Sequence, residues 1–137
     1  MSNLVKIFLL VSAAVLILIG ALLSFTPEVL YASSGQNLTD VVLIRSDLRA
    51  GGMLLLLSGL VVLAAALRGR HTTSALQLSA LIYLGYGLGR LFGIGFDGAP
   101  DAMLIAVTGV EWALGLGALA LLRWGQTGPE ARVLAPN

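Results

Sequence analysis

The sequence has no cysteine, one histidine, four prolines and only 11 % charged residues over 137 positions. Each shortage removes a class of chemistry. Without cysteine there is no disulfide, no thiolate nucleophile, no iron–sulfur cluster and no Cys-based zinc site. The lone histidine, His71, stands in a turn among arginines. Bis-His haem ligation within one chain is therefore excluded, no Ser-His-Asp or Cys-His arrangement can be assembled, and a metal site would have to rest on carboxylates alone. Soluble domains carry about 25 % charge; this chain pairs its 11 % with 58 % hydrophobic residues and a mean hydropathy of +0.95. A water-soluble globule is excluded. A net charge of +1 gives no basic footprint for nucleic acid, and the length allows one domain.

What is present is long apolar runs. Four blocks, about Leu4–Phe25, Asp47–Leu67, Ala75–Phe96 and Ala102–Leu122, are separated by polar or turn-forming residues. Each is long enough for a helical crossing, which takes roughly 20 residues. Blocks rich in Leu, Ala and Val without strand alternation must be helices, because lipid leaves no water for orphan backbone groups. The fold class is thus all-α: an integral membrane four-helix bundle over 1–123, followed by a polar tail over 124–137. The first block runs without a small-residue cleavage box into Ser24-Phe25-Thr26-Pro27 and reads as a retained helix.

The N-terminus, the 68–74 loop and the tail hold Lys6, Arg68, Arg70, Arg123 and Arg132 against Glu130 alone. The opposite loops hold Glu28, Asp40, Asp47, Asp97 and Asp101 with Arg45 and Arg49. The positive-inside rule then places both termini in the cytoplasm, and the expected location is the inner (plasma) membrane as a multi-pass chain. The first outer loop, about Thr26–Ser46, is the longest. Its Pro27-Glu28-Val29-Leu30-Tyr31 starts like a short interfacial helix, Ser33-Ser34-Gly35-Gln36-Asn37 breaks the pattern, and Leu38–Ile44 forms a further interfacial turn. Asn37-Leu38-Thr39 matches a glycosylation acceptor, a pattern that arises often by chance. Trp124 beside Arg123 reads as an interfacial anchor.

Gly85, Gly89 and Gly93 recur every four residues in the third block, as do Gly109, Ala113 and Gly117 in the fourth. Small stripes let helices approach closely in lipid, so these two stripes are expected to form one seam, within a subunit or between copies.

Ionisable groups inside a membrane are costly, which singles out Arg49, Arg90, Asp97 and Glu111. Glu111 lies ten residues past Asp101, about 15 Å below the outer face; Arg90 lies six residues before Phe96, about 9 Å below it. Side chains lean toward the N-terminus of their helix, so on antiparallel helices Arg90 leans inward and Glu111 outward, and the two reach for each other. Arg49 leans outward, toward the neighbourhood of Asp47, Asp97 or Asp101. Tyr83, Tyr86 and Arg90 share one helical stripe. With Glu111, Thr108 and Trp112 they would line a polar cavity able to hold a polar head with an apolar tail. The alternative is a structural ion pair whose leftover lone pairs are satisfied by the tyrosine hydroxyls. Arg90 nearby would hold Glu111 ionised, which works against proton-coupled transport.

Arg45-Ser46-Asp47-Leu48-Arg49-Ala50-Gly51-Gly52, Gly89-Arg90, Asp97-Gly98-Ala99-Pro100 and Glu111, in that order, resemble the bacterial family called domain of unknown function 4345, over about residues 4–123. That family is similar to the wider DoxX-like group of four-helix membrane proteins, some of which accompany quinone-linked oxidoreductases. The resemblance implies that Arg49, Gly52, Arg90, Asp97, Gly98 and Glu111 are signature positions, and it implies no activity.

The expected function is a non-enzymatic binder of a lipid-like or quinone-like amphiphile, or an accessory subunit of a membrane complex. No catalytic residue and no metal ligand is assigned. The expected ligand-binding set is Arg90, Glu111, Tyr83, Tyr86, Arg49 and Asp97, with no intrinsic cofactor beyond a bound lipid or quinone. Membrane lipids, a second copy or a larger membrane complex are the expected partners, and nucleic acid is not. The rival is a small membrane enzyme or redox accessory using Glu111 as acid or base. A transporter, which four helices would form only as an oligomer, ranks last.

Overall fold

The computed structural model describes residues 2–33, 35 and 42–126. They form five helices: α1 (Asn3–Phe25), α2 (Pro27–Ser33), α3 (Val42–Arg68), α4 (Thr72–Asp97) and α5 (Ala102–Gln126). No strand occurs among the described residues. Asn3–Phe25, Val42–Arg68, Thr72–Asp97 and Ala102–Gly125 are each long and apolar enough to cross a membrane. The turn expected over Leu38–Ile44 lies outside the described residues up to 41, and from Val42 it is already the first turn of α3. The helix therefore starts five residues before Asp47, because Val42, Leu43 and Ile44 continue its apolar run. The acceptor motif at Asn37 and the tail beyond Gln126 also lie outside the described residues.

Local chemistry sets the helix ends. Ser2 caps α1 by accepting the Val5 N–H at 3.3 Å, and Asp101 caps α5 by accepting the Leu104 N–H at 2.8 Å. Pro27 occupies the first position of α2, where its missing N–H costs nothing. Gly69 (φ 64°) stops α3 and Gly98 (φ 101°) stops α4, both in the left-handed region that L side chains rarely adopt.

The bundle is two pairs rather than four equal partners. α1 packs antiparallel on α3 and α4 antiparallel on α5, whereas α3 and α4, although joined by a tight turn, share little surface. The buried stripes explain the pairing: Leu9, Ser12, Ala13, Leu16, Gly20 and Ser24 on α1 against Gly52, Leu55, Ser58, Gly59 and Val62 on α3. Small and hydroxyl-bearing residues share the interior with Leu9, Leu16, Leu55 and Val62, while Leu4, Ile7, Leu18, Leu54, Leu57, Leu81 and Phe92 face outward. At Gly52 a Cβ would come within 2.7 Å of the Ser24 backbone nitrogen, and at Gly59 within 2.9 Å of Ile17 N. The two backbones are nearly in contact. A polar tie joins the pairs: Ser12 Oγ donates to Ser79 Oγ at 3.0 Å, and the Tyr83 hydroxyl donates to the Ser12 carbonyl at 2.7 Å.

Within the chain, the expected glycine seam is corrected. α4 and α5 do cross closely, but through Gly87, where a Cβ would meet the Trp112 indole at 2.9 Å, and Gly115, where it would meet Leu84 at 2.6 Å. Nothing lies within 4 Å of a Cβ at Gly85, Gly89 or Gly109, and Gly117 faces Phe8 of α1 instead. Two positions along a helix turn the side chain by about 200°, so Gly87 lies on nearly the opposite face from the Gly85–Gly89 stripe.

Candidate functional site

Because α3 and α4 diverge, a cleft of about 1140 Å³ opens between the two pairs. It is lined by Leu54, Leu55 and Ser58 of α3 and by Leu78, Leu81, Ile82, Gly85, Tyr86, Gly89 and Arg90 of α4. Leu30 and Tyr31 of α2, Asp47, and the Pro100-Asp101 turn stand at one end. The absence of side chains at Gly85 and Gly89 creates part of this space. Leu81, 73 % exposed, and Leu54, 62 % exposed, lie on the rim, so the cleft is open along its side as well as at the α2 end. Polar residues cluster at the α2 end and aliphatic ones at the other.

Arg90 and Glu111 meet as their depths and lean predict. Arg90 Nε donates to both carboxylate oxygens of Glu111, at 2.8 and 3.0 Å. Glu111 is buried and does not line the cleft; Arg90, its side chain 25 % exposed, does. Both bonds leave from Nε, so among the described residues the two terminal amino groups of the guanidinium, with four N–H, have no protein acceptor. The Tyr86 hydroxyl likewise makes no hydrogen bond with a described residue and stands 3.4 Å from where a Cβ on Gly51 would be. Arg90 also borders a smaller cavity of about 190 Å³ with Gly93, Asp97 and Gly98. Asp97 is exposed there and forms no ion pair with a described residue.

Of the expected set, Arg90 and Tyr86 line the cleft, Glu111 and Asp97 lie as just described, and Tyr83 and Arg49 sit elsewhere. Tyr83 is 3 % exposed and faces α1, because it shares a stripe with Ser79 and Gly87 more closely than with Tyr86. Arg49 reaches none of Asp47, Asp97 and Asp101. It lies on the Arg45–Arg49–Gly52 stripe, which faces α1 and α2, so its Nη1 donates to the Ser24 carbonyl at 2.7 Å and its Nη2 lies 3.9 Å from Glu28. Arg45 lies 3.6 Å from the same carboxylate, and the pairs pin α2 against α3. Trp112 covers Gly87, and the Thr108 hydroxyl donates to the Leu104 carbonyl of its own helix at 2.8 Å; neither lines the cleft. Sequence reasoning missed Asp47 as a cleft residue, although Asp47, Gly51, Leu54 and Ser58 recur at helical spacing and so share a face. No three of histidine, aspartate and glutamate converge among the described residues.

Four apolar helices with small residues inside and large aliphatic ones outside define a helical bundle compatible with a membrane. The chain belongs to the family described as Domain of unknown function (DUF4345), which matches residues 4–122. No curated protein and no solved structure matched it. Of the positions the family resemblance singles out, Gly52 makes the α1–α3 approach, Gly98 ends α4, Arg49 ties α3 to α1, and Arg90 and Glu111 pair across α4 and α5.

Proposed function

We propose that this protein is a multi-pass inner-membrane bundle, with both termini cytoplasmic and α2 at the outer interface, that holds one lipid-like amphiphile in the α3–α4 cleft. The observation that carries the reading is the cleft itself: aliphatic along most of its length, open at its side, and ending in the Tyr86 hydroxyl and Arg90 N–H groups that have no acceptor among the described residues. Its 1140 Å³ exceeds the 300–1,000 Å³ usual for small-molecule sites, as a long-tailed ligand requires. Embedding in lipid accounts for the outward Leu, Ile and Phe residues, which water would not tolerate around a whole molecule. The uneven Lys and Arg counts support the orientation. A fluorescent protein fused to the C-terminus is expected to glow, and a phosphatase that works only outside the cytoplasm is expected to stay inactive there; the reverse pattern would refute the orientation.

Gly85→Leu tests the ligand reading. Its Cβ meets no protein atom within 4 Å and its side chain enters the cleft, so the variant blocks the ligand without disturbing the fold. Replacing a helical glycine also removes a penalty of about 0.5–1 kcal/mol. Native mass spectrometry of gently extracted protein is expected to show a discrete added mass on the wild type, absent from Gly85→Leu, and that mass separates a lipid from a quinone. Equal added mass on both would eliminate the cleft as the site. An acid–base role for Glu111 gains no support from its position, since Arg90 occupies both of its oxygens and the cleft does not reach it.

A further inference from the structure

Resting on the amphiphile reading above, we propose that the occupant is a zwitterionic phospholipid of the ammonium–phosphate type, its ammonium on Asp47, its phosphate on Arg90 and an acyl chain along the glycine-floored wall of α4. The inference comes from the register of the two cleft walls. Gly51 and Tyr86 face each other at the 3.4 Å noted above, and α3 and α4 run in opposite directions. Four residues toward the α2 end from that level are Asp47 on one wall and Arg90 on the other, each about 6 Å along its helix. Both line the cleft, yet they form no ion pair with each other; Arg90 is held by Glu111, and Asp47 has no hydrogen bond or ion pair with a described residue.

The two charges are also ordered in depth. Side chains lean toward the start of their helix, so Asp47 leans to the mouth and the long Arg90 side chain leans back into the cleft. From the mouth inward the cleft presents the carboxylates of Asp47 and Asp101, then a guanidinium whose terminal N–H groups have no acceptor among the described residues, beside the Tyr86 hydroxyl, then the aliphatic wall of Leu54, Leu81 and Ile82. An ammonium–phosphate–diacylglycerol chain presents the complementary groups in the same order. A wholly anionic head fits worse. The described residues at this end carry five carboxylates (Glu28, Asp47, Asp97, Asp101, Glu111) against three arginines (Arg45, Arg49, Arg90), a formal balance of −2. A head without charge would leave Asp47 unanswered.

The test uses full-length protein in nanodiscs of equal parts phosphatidylethanolamine, phosphatidylglycerol and diacylglycerol with matched chains, with retained lipid read by native mass spectrometry. Phosphatidylethanolamine is expected to be enriched about tenfold over each of the others, the ratio that one charge-assisted hydrogen bond supports. Asp47→Asn, at an exposed position, should fold and lose most of that preference while still retaining lipid; water-soluble glycerophosphoethanolamine should displace nothing. Equal retention of the three lipids, an unchanged preference in Asp47→Asn, or displacement by the soluble head would each overturn the assignment, and in the first two cases the cleft would still stand as a lipid site if Gly85→Leu emptied it. No retention at all, or retention indifferent to Gly85→Leu, would bring down both this assignment and the reading beneath it.

Discussion

Glu111→Leu is expected to cause a large loss of stability by stranding Arg90, and adding Arg90→Leu to it is expected to restore much of that loss. Glu111 is 8 % exposed and supplies both acceptors for Arg90 Nε. Removing one partner of such a pair costs about 3–5 kcal/mol, because the remaining charge stays in a low-dielectric place without compensation. Placed in a membrane, an unpaired arginine costs at least about 2.5–3.5 kcal/mol on insertion scales. Replacing both partners by apolar residues removes the stranded charge, so the double variant recovers much of what either single variant loses. Thermal unfolding of detergent-purified protein, followed by the amount that still elutes as a sharp peak after heating, gives the comparison. Additive losses in the double variant would show that the pair is not a coupled unit. Glu111→Gln is a milder version that keeps one acceptor oxygen and should fall between the wild type and Glu111→Leu.

Gly20→Ala is the second large effect, from the addition of a single methyl group. The new Cβ would lie 2.8 Å from both the Gly52 carbonyl oxygen and Leu56 Cα, and it would collide with the Leu56 backbone nitrogen. These are backbone atoms of the partner helix and cannot rotate away, so α1 and α3 must move apart along the longest contact of the bundle. Overpacking of a tight core costs about 1–3 kcal/mol, and more where backbone must shift. The same unfolding assay should show a clear drop for Gly20→Ala and none for Gly85→Ala, whose Cβ enters open space. A Gly20→Ala midpoint equal to the wild type would contradict the closeness of the two helices. The contrast between these two alanines isolates contact geometry, since both remove a glycine from a helix.

Much of the architecture is legible in the sequence because lipid-compatible helices announce themselves by length and composition. The Arg90–Glu111 pair is legible for a related reason: rise per residue and the N-terminal lean of side chains place two charges in three dimensions without a structure. The glycine seam is not. Gly85, Gly89 and Gly93 form the more regular pattern, yet close approach falls to Gly87 and Gly115, which look isolated. The readable signal is the mixed stripe of small and hydroxyl residues, Ser79–Tyr83–Gly87 on α4 and Thr108–Glu111–Gly115–Ala118 on α5, rather than glycine alone. Arg49 is misplaced by its sequence neighbours for a different reason. Which side of α3 faces α1 depends on Gly52, and a one-dimensional reading gives Arg49 the nearest acids instead of a carbonyl on another helix.

The pairing of α1 with α3 and of α4 with α5 also divides the molecule into two halves. Each pair buries its own long helix–helix contact, α1 on α3 and α4 on α5, and contact between the pairs is slighter. The second pair is a local hairpin that closes on itself across the short turn at 98–101. The Ser12–Ser79 and Tyr83–Ser12 bonds join these halves, and the chain passes from one to the other through the tight turn at Gly69–His71. The cleft is therefore the seam between two halves, and a chain severed at this turn is expected to yield two fragments that still co-purify when expressed together.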